Sequence, residues 1–165
     1  MPIGRFLGGI AALVWSPAKD KYLLLRRSGD KDFASGAWEC VTGRVDQGEG
    51  LEDALQREVR EELGVDVEIE FIIGTTHFYR GPESAENELI GIVCCVSLED
   101  VESIRVSNEH SEHRWVSLDE ARQMLTDDRA STQWILRVLE RAVSLQALTP
   151  PELREYIRQR GLELG

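Results

Sequence analysis

Basic side chains are outnumbered in this chain of 165 residues. Lys and Arg total 19 against 30 Asp and Glu, which gives a formal net charge of −11. This balance argues against nonspecific binding to nucleic acid polymers or to an anionic membrane, because both favour basic surfaces. Small phosphorylated ligands stay open, since a bound divalent cation can reverse the local sign of charge.

Cysteine is also scarce. Cys40, Cys94 and Cys95 are odd in number, lack CxxC spacing and lie in apolar runs. The pattern favours buried free thiols in a reducing compartment over a disulfide or a metal site. We therefore expect a cytoplasmic protein.

Long apolar segments are missing as well. The run FLGGIAALVW, residues 6–15, is too short to span a membrane, and a charged strand-like segment follows it without a convincing cleavage region. It is better interpreted as a first β-strand than as a signal peptide. The sequence shows no internal repeat and no obvious interdomain linker. We therefore expect residues 1–147 to form one domain, with residues 148–165 as a short helical tail packed on it.

The remaining pattern alternates between strands and helices. Strands are predicted over 6–15, 21–27, 36–43, 65–74 with a continuation at 76–80, 88–98 and 113–118. Helices are predicted over 48–64, from 118 onwards behind a capping box, over 131–147 and over 151–161, with a charged loop at 107–113. The second long helix is expected to bury Trp134, Val138, Leu139, Ala142 and Val143. The sum predicts an α/β sandwich with a mixed sheet between helices.

The first helix places acids in line with its apolar residues. At about 100° per residue, Glu58 and Glu62 share a face with Leu51, Leu55 and Val59, and Glu61 flanks it. A solvated acidic helix is the ordinary explanation, but Glu58 and Glu62 form a like-charged i,i+4 pair that is destabilising without a partner. Clustered carboxylates suit a hard cation such as Mg²⁺, which binds carboxylates, water and substrate phosphate.

Residues 43–65 read GRVDQGEGLEDALQREVREELGV and match the Nudix box, G-x5-E-x7-R-E-U-x-E-E-x-G-U, where U is aliphatic. The positions that match are Gly43, Glu49, Arg57, Glu58, Val59, Glu61, Glu62, Gly64 and Val65. Nine constraints make a chance match very unlikely. The chain thus resembles the Nudix hydrolases, with a resemblance that covers most of residues 5–145.

The resemblance implies an α/β/α sandwich that hydrolyses a nucleoside diphosphate linked to another moiety, with Mg²⁺ or Mn²⁺. It makes Glu58 and Glu62 the principal metal ligands and Glu61 a further ligand or water-positioning group. Arg57 is expected to hold a glutamate by a charge-assisted hydrogen bond. Glu49 and the Gly43 carbonyl are expected to join the metal cluster.

Family members commonly add a carboxylate from outside the box. In SNEHSEHRW, residues 107–115, we favour Glu109 over Glu112 for this ligand and catalytic role. No catalytic role is assigned to His110 or His113, which are expected at the surface.

On the substrate side, Arg26 and Arg27 end the second strand, and only one can face the site. Trp38 is equally compatible with base stacking and with a core position. Phe33, Phe78 and Tyr79 are weaker candidates. Loops 28–37, 80–88 and 102–112 are the expected determinants of specificity.

The sequence WECVTG before the helix, together with EHSEHRW, is similar to the dATP/dihydroneopterin-triphosphate pyrophosphohydrolase branch. That implies cleavage of a triphosphate to monophosphate and pyrophosphate. ADP-ribose or a nucleotide sugar is the alternative substrate. It stays open because Pro82 lies near the sequence position at which ADP-ribose pyrophosphatases carry a proline downstream of the box. A non-catalytic nucleotide sensor or protein-interaction module is the second alternative, although such domains usually lose box glutamates. The expected partner is a nucleotide, and homodimerisation is left open.

Overall fold

The computed structural model describes residues 4–29 and 35–165. Within those residues, seven β-strands are β1 (Leu7–Ser16), β2 (Lys21–Arg27), β3 (Trp38–Glu39), β4 (Val41–Arg44), β5 (Glu68–Tyr79), β6 (Glu88–Ser97) and β7 (His110–Val116). The α-helices there are α1 (Leu51–Leu63), α2 (Leu118–Met124), α3 (Ala130–Leu148) and α4 (Pro151–Arg160). None of these helices has the length and the apolar character that crossing a bilayer requires.

The strands form one mixed sheet in the order β3-β2-β1-β6-β5. Strands β1 and β6 are parallel, and the other pairs are antiparallel. The apolar strand β6 lies between β1 and β5, which confirms its predicted central position.

A fork between β1 and β2 shapes the centre of the molecule. The two strands pair only near their shared turn, at Trp15↔Tyr22 and Ser16↔Lys21. Beyond that point β1 pairs with β4 and β2 pairs with β3, so residues 38–44 fill the fork. The single strand predicted over 36–43 is therefore two short strands that break at Cys40, because each follows a different neighbour.

Two apolar cores lie on opposite faces of the sheet. Ala12 and Val14 of β1 face the core beneath α1, whereas Ala11 and Leu13 face the core beneath α2 and α3. This alternation is what a strand between two helical layers requires. The α/β/α sandwich is confirmed, and all three cysteines are buried and free.

Several local predictions were wrong at the rims of these cores. Leu51 is 39% exposed, because it lies in the first turn of α1, at the edge of the sheet. Trp134 and Val143 are only partly buried, and Thr132 and Ile135 are buried instead on α3. Residues 110–113 are strand rather than loop, since β7 pairs with β2 as far as His110↔Arg27.

The C-terminal helix α4 lies against β5. The buried carboxylate of Glu70 on β5 accepts hydrogen bonds from Arg158 at 2.9–3.0 Å and from Ser97 Oγ at 2.6 Å. A fully buried acid needs such partners, because an unpaired charge there is strongly unfavourable. The tail is thus attached to the sheet through a buried ion pair.

Gly64 ends α1 with φ of 70°, in the left-handed region predicted for a helix cap. Replacing Gly64 with Ala should lower the free energy of unfolding by about 1 kcal/mol, because a Cβ is unfavourable at this φ. Urea denaturation measures the change. Gly64→Asn is the control and should lose less, since Asn tolerates this conformation; equal stability of Gly64→Ala and the parent protein would contradict the assignment.

Candidate active site

Arg57 on α1 organises the loop that precedes its own helix. Its guanidinium donates to both carboxylate oxygens of Glu49 at 2.8 and 2.9 Å, to Glu58 Oε1 at 2.8 Å and to the Arg44 carbonyl at 2.9 Å. The hydrogen bonds from Arg57 and from the Asp46 backbone hold the pKa of Glu49 near 2. Glu49 is therefore ionised and fixed against α1.

Glu58 lies directly over Gly43 of β4. A Cβ added to Gly43 would come within 1.9 Å of Glu58 Cδ, so no other residue leaves room for this carboxylate. Residues 41–44 pair with β1 inside the fork, which brings the Gly43 backbone up to α1. The glycine of the box thus acts here through its missing side chain.

Glu62 is the most perturbed acid of the cluster. It is 7% exposed, and within the described part of the chain its Oε2 atom has no hydrogen-bond partner. Burial first, then the charges of Glu39 and Glu58, raise its pKa to about 9. A buried carboxylate oxygen without a partner is costly, and a cation at this position would remove that cost.

Next to Glu62 lies a partly buried network that the sequence analysis missed. Glu39 accepts hydrogen bonds from Arg27 Nη1 at 2.9 and 3.2 Å, and His110 Nε2 lies 3.0 Å from Glu39 Oε1 and 3.8 Å from Glu62 Oε2. The expectation that His110 is a surface residue was wrong: its side chain is 2% exposed, because β7 places it beside β3 and α1. Glu39 follows Trp38 in β3, and only the fork brings it to the site.

The remaining predicted acids occupy different positions. Glu61 is 60% exposed, 3.5 Å from Arg57. Glu109 lies at the mouth of the site and raises the pKa of Glu62 by its charge. Glu112 instead pairs with Arg114 and Arg26, and the bond from Arg114 lowers its pKa. Of the two loop acids, the structure brings Glu109 to the cluster and leaves Glu112 outside it.

A cleft of about 500 Å³ opens beside these acids. Its aromatic lining residues are Trp38, His77, Phe78, Tyr79 and Trp134, and its cationic ones are Arg27, Arg80 and Arg137. Arg27 lines the cleft, whereas Arg26 does not: Arg26 lies over the Trp38 ring at 6.0 Å and pairs with Glu112. Phe33 and part of loop 28–37 lie outside the described residues.

Arg80 is a cation that the sequence analysis missed. It is partly buried in the cleft, and within the described segments no acid forms an ion pair with its guanidinium. Burial, and then the nearby charges of Arg44 and Arg27, lower its pKa. Its position at the end of β5, where loop 80–88 begins, was the available signal.

The donor set fits a hard divalent cation by its charge and by the Glu62 Oε2 atom, which has no hydrogen-bond partner in the described part of the chain. Among residues 4–29 and 35–165, no three acid, histidine or cysteine side chains already converge as a finished metal site. Arg57 explains part of this, since it engages Glu49 and one oxygen of Glu58. Glu58 and Glu62 would hold the ion, with Glu109 within the same acidic cluster.

Fold and site together define an α/β/α sandwich that presents helix-borne carboxylates to a cleft lined with arginine and aromatic side chains. A NUDIX-domain model matches residues 7–137. The nucleoside triphosphatase NudI of Escherichia coli O139:H28 is 30% identical over 103 residues, 58% of this chain and 72% of NudI. The chain belongs to the Nudix family and is a Nudix hydrolase that acts on phosphoanhydride bonds.

Solved structures agree in fold. A MutT protein from Methanosarcina mazei Go1 has a TM-score of 0.68 at 27% identity, over 88% of this chain and 99% of that one. The E. coli dihydroneopterin triphosphate pyrophosphohydrolase has a TM-score of 0.64 at 21% identity, over 86% and 99%. At that identity the second likeness concerns the fold alone.

Replacing Gly43 with Ala should move Glu58 away from β4 while the protein stays folded. We expect activity to fall by about 10- to 100-fold, the range typical of losing the support of a metal ligand. Steady-state kinetics and thermal unfolding measure the two effects. Gly165→Ala, where an added Cβ meets no atom of the described residues within 4 Å, is the control; full activity of Gly43→Ala would contradict the role of this contact.

Proposed function

We propose that this Nudix hydrolase is a Mg²⁺-dependent pyrophosphohydrolase, with Mn²⁺ as a substitute, whose substrate is a nucleoside or deoxynucleoside triphosphate. Cleavage between the α and β phosphorus would give a monophosphate and pyrophosphate. The observation that carries the proposal is the buried Glu62 oxygen, which has no hydrogen-bond partner among the described residues. It lies beside Glu58 at the edge of a cleft that also contains Arg80. The buried free thiols support a cytoplasmic location.

Each side chain has a role within this proposal. Glu58 and Glu62 would hold the metal from α1, and Glu109 would join them from the β7 side. Glu61, the most exposed of these box acids, would serve as a further ligand or position the attacking water. A bound divalent cation polarises a phosphoryl group and lowers the pKa of its water. Arg57 and Glu49 keep Glu58 oriented, and the Gly43 backbone contributes its carbonyl.

The substrate side follows from the lining of the cleft. Arg80 contacts phosphate oxygens, because Arg27 is already engaged by Glu39. Trp38 offers an aromatic face for a nucleobase. The guanidinium carbons of Arg26 and Arg114 lie 6.0 and 5.4 Å from the centre of its ring. Arg26 thus supports Trp38 rather than the phosphates.

The similarity to NudI, a nucleoside triphosphatase, supports a triphosphate substrate, which the dATP/dihydroneopterin-triphosphate branch would also require. The ADP-ribose alternative has less support, because the Pro82 carbonyl accepts a bond from Asn87 within its own turn and Pro82 does not line the cleft. The intact box weighs against a non-catalytic sensor. Pyrophosphate and phosphate release over nucleoside triphosphates, ADP-ribose, nucleotide sugars and dinucleoside polyphosphates distinguishes the three; no product from any of them with Mg²⁺ or Mn²⁺ would favour the sensor.

Turnover should fall in each of three variants, Glu58→Gln, Glu62→Gln and Glu109→Gln, because each removes a charge that would stabilise the metal-bound transition state. For the first two we expect a loss of roughly 10²- to 10⁴-fold. Turnover and Mn²⁺ affinity are measured together. Glu112→Gln is the matched control from the same loop and should retain both. Near-normal turnover in Glu58→Gln or Glu62→Gln would refute the metal-ligand assignment, and a larger loss in Glu112→Gln than in Glu109→Gln would reverse the choice of loop acid.

Arg80→Gln should raise KM for a nucleoside triphosphate by roughly 10- to 100-fold, since a charge-assisted hydrogen bond contributes about 1.5–3 kcal/mol. Arg80→Lys should recover part of the loss, because the positive charge is kept. Arg122→Gln, an exposed arginine on α2, is the control. An unchanged KM in Arg80→Gln would exclude Arg80 from phosphate binding.

A further inference from the structure

The catalytic helix begins without a cap of its own. Gly50 is the N-cap residue of α1, with extended φ and ψ of −77° and 161°, and it has no side chain to accept the first backbone amides. The first N–H groups of a helix have no partner within the helix, and Ser, Thr, Asp or Asn usually accepts them at this position. This end of α1 follows Glu49, which Arg57 holds.

A carboxylate from the far end of the chain takes that place. Glu163 Oε1 accepts from the Leu51 amide at 3.0 Å, and Glu163 Oε2 accepts from the Glu52 amide at 3.4 Å. Negative charge at a helix N-terminus is also favourable to the helix dipole. The contact joins residues that are 111 and 112 positions apart.

The contact is reciprocal. Glu52 Oε1 accepts from the backbone amides of Leu162 and Glu163, the latter at 3.3 Å. Each segment thus satisfies backbone donors of the other, as a capping box does within one helix.

Two glycines make room for this exchange. A Cβ on Gly50 would lie 2.6 Å from Glu163 Oε2, and one on Gly161 would lie 2.8 Å from Glu52 Oε2. Gly161 also has φ of 76°, which turns the chain from α4 towards α1. The tail is held from behind by Arg158 on Glu70 and by Leu162 against the α1 core.

We propose that Glu163 is a positioning residue, the N-cap of the catalytic helix supplied by the tail, and that residues 149–165 belong to the support of the active site. Without the cap, the first turn of α1 frays, and the Glu49–Arg57 pair that orients Glu58 loses its fixed frame. The effect on turnover rests on the function proposed above; the capping itself does not.

Glu163→Ala should speed hydrogen exchange at the Leu51 and Glu52 amides by about tenfold or more and lower the urea midpoint. At a temperature where the variant is fully folded, kcat should fall by roughly three- to tenfold with KM unchanged, because orientation rather than substrate binding is lost. Glu152→Ala, the same change on an exposed residue of α4, is the matched control and should alter neither.

Gly50→Ser tests the mechanism from the other side. In the Glu163→Ala protein, the hydroxyl of the introduced serine supplies a local cap, so amide protection, urea midpoint and kcat should return towards the parent values. In the parent protein the introduced side chain meets the Glu163 carboxylate and should add nothing. Additive effects of the two substitutions would overturn the proposal.

The remaining outcomes also test the proposed cap and its effect on the site. Unchanged exchange at Leu51 and Glu52 in Glu163→Ala would show that Glu163 does not cap α1. Faster exchange with unaltered kcat and Mn²⁺ affinity would reduce Glu163 to a purely structural contact and overturn the positioning role. If the parent protein hydrolyses none of the substrates, the proposed function is refuted but the proposed cap is not. Hydrogen exchange and Mn²⁺ affinity in Glu163→Ala then still test the cap and its effect on the site.

Discussion

The guanidinium of Arg57 is the group on which the geometry of the site depends. It binds both oxygens of Glu49, one oxygen of Glu58 and the Arg44 carbonyl, and so ties the loop before α1, the helix itself and the end of β4 to one planar cation. A planar guanidinium, with five N–H donors spread over three nitrogens, suits this arrangement, whereas the three donors of a lysine ammonium sit on a single atom and could not reach acceptors this far apart. The positive charge of Arg57 therefore offsets the repulsion between the neighbouring carboxylates of the loop and of α1.

The burial of Glu62 shows how the fold prepares a site at the expense of local stability. Burial and the neighbouring carboxylates raise its pKa, and its Oε2 atom lacks a hydrogen bond within the described residues. Perturbed acids in a cleft are typical of functional sites, because the same environment that disfavours the free anion favours its binding to a cation. The fork between β1 and β2 produces this environment, since it brings Glu39 and Gly43 against one face of α1.

The ease of prediction differed between parts of the molecule for physical reasons. Helix α1, its Gly64 cap, the α2 capping box and the central strand β6 follow from local periodicity and turn chemistry, which neighbouring residues encode. The break at Cys40, the buried His110 and the exposed Leu51 do not, because each depends on which strand or helix edge lies alongside. Arg80 and Trp134 were missed for the same reason: both reach the cleft from elements that show no motif.

The contiguous pattern from Gly43 to Val65 was sufficient to predict the family and the sandwich through a resemblance. Its spacing also predicted that Glu58 and Glu62 share a face of α1, since spacing along one helix dictates which side chains lie on the same side. The sequence favoured Glu109 over Glu112, and the structure brings Glu109 to the cluster. Tertiary structure alone decided that Arg27 is engaged by Glu39, that Glu112 pairs with Arg26, and that Glu163 reaches the first turn of α1. These contacts join residues 12 to 112 positions apart. They arise from strand pairing and from the path of the tail, for which one-dimensional spacing carries no signal.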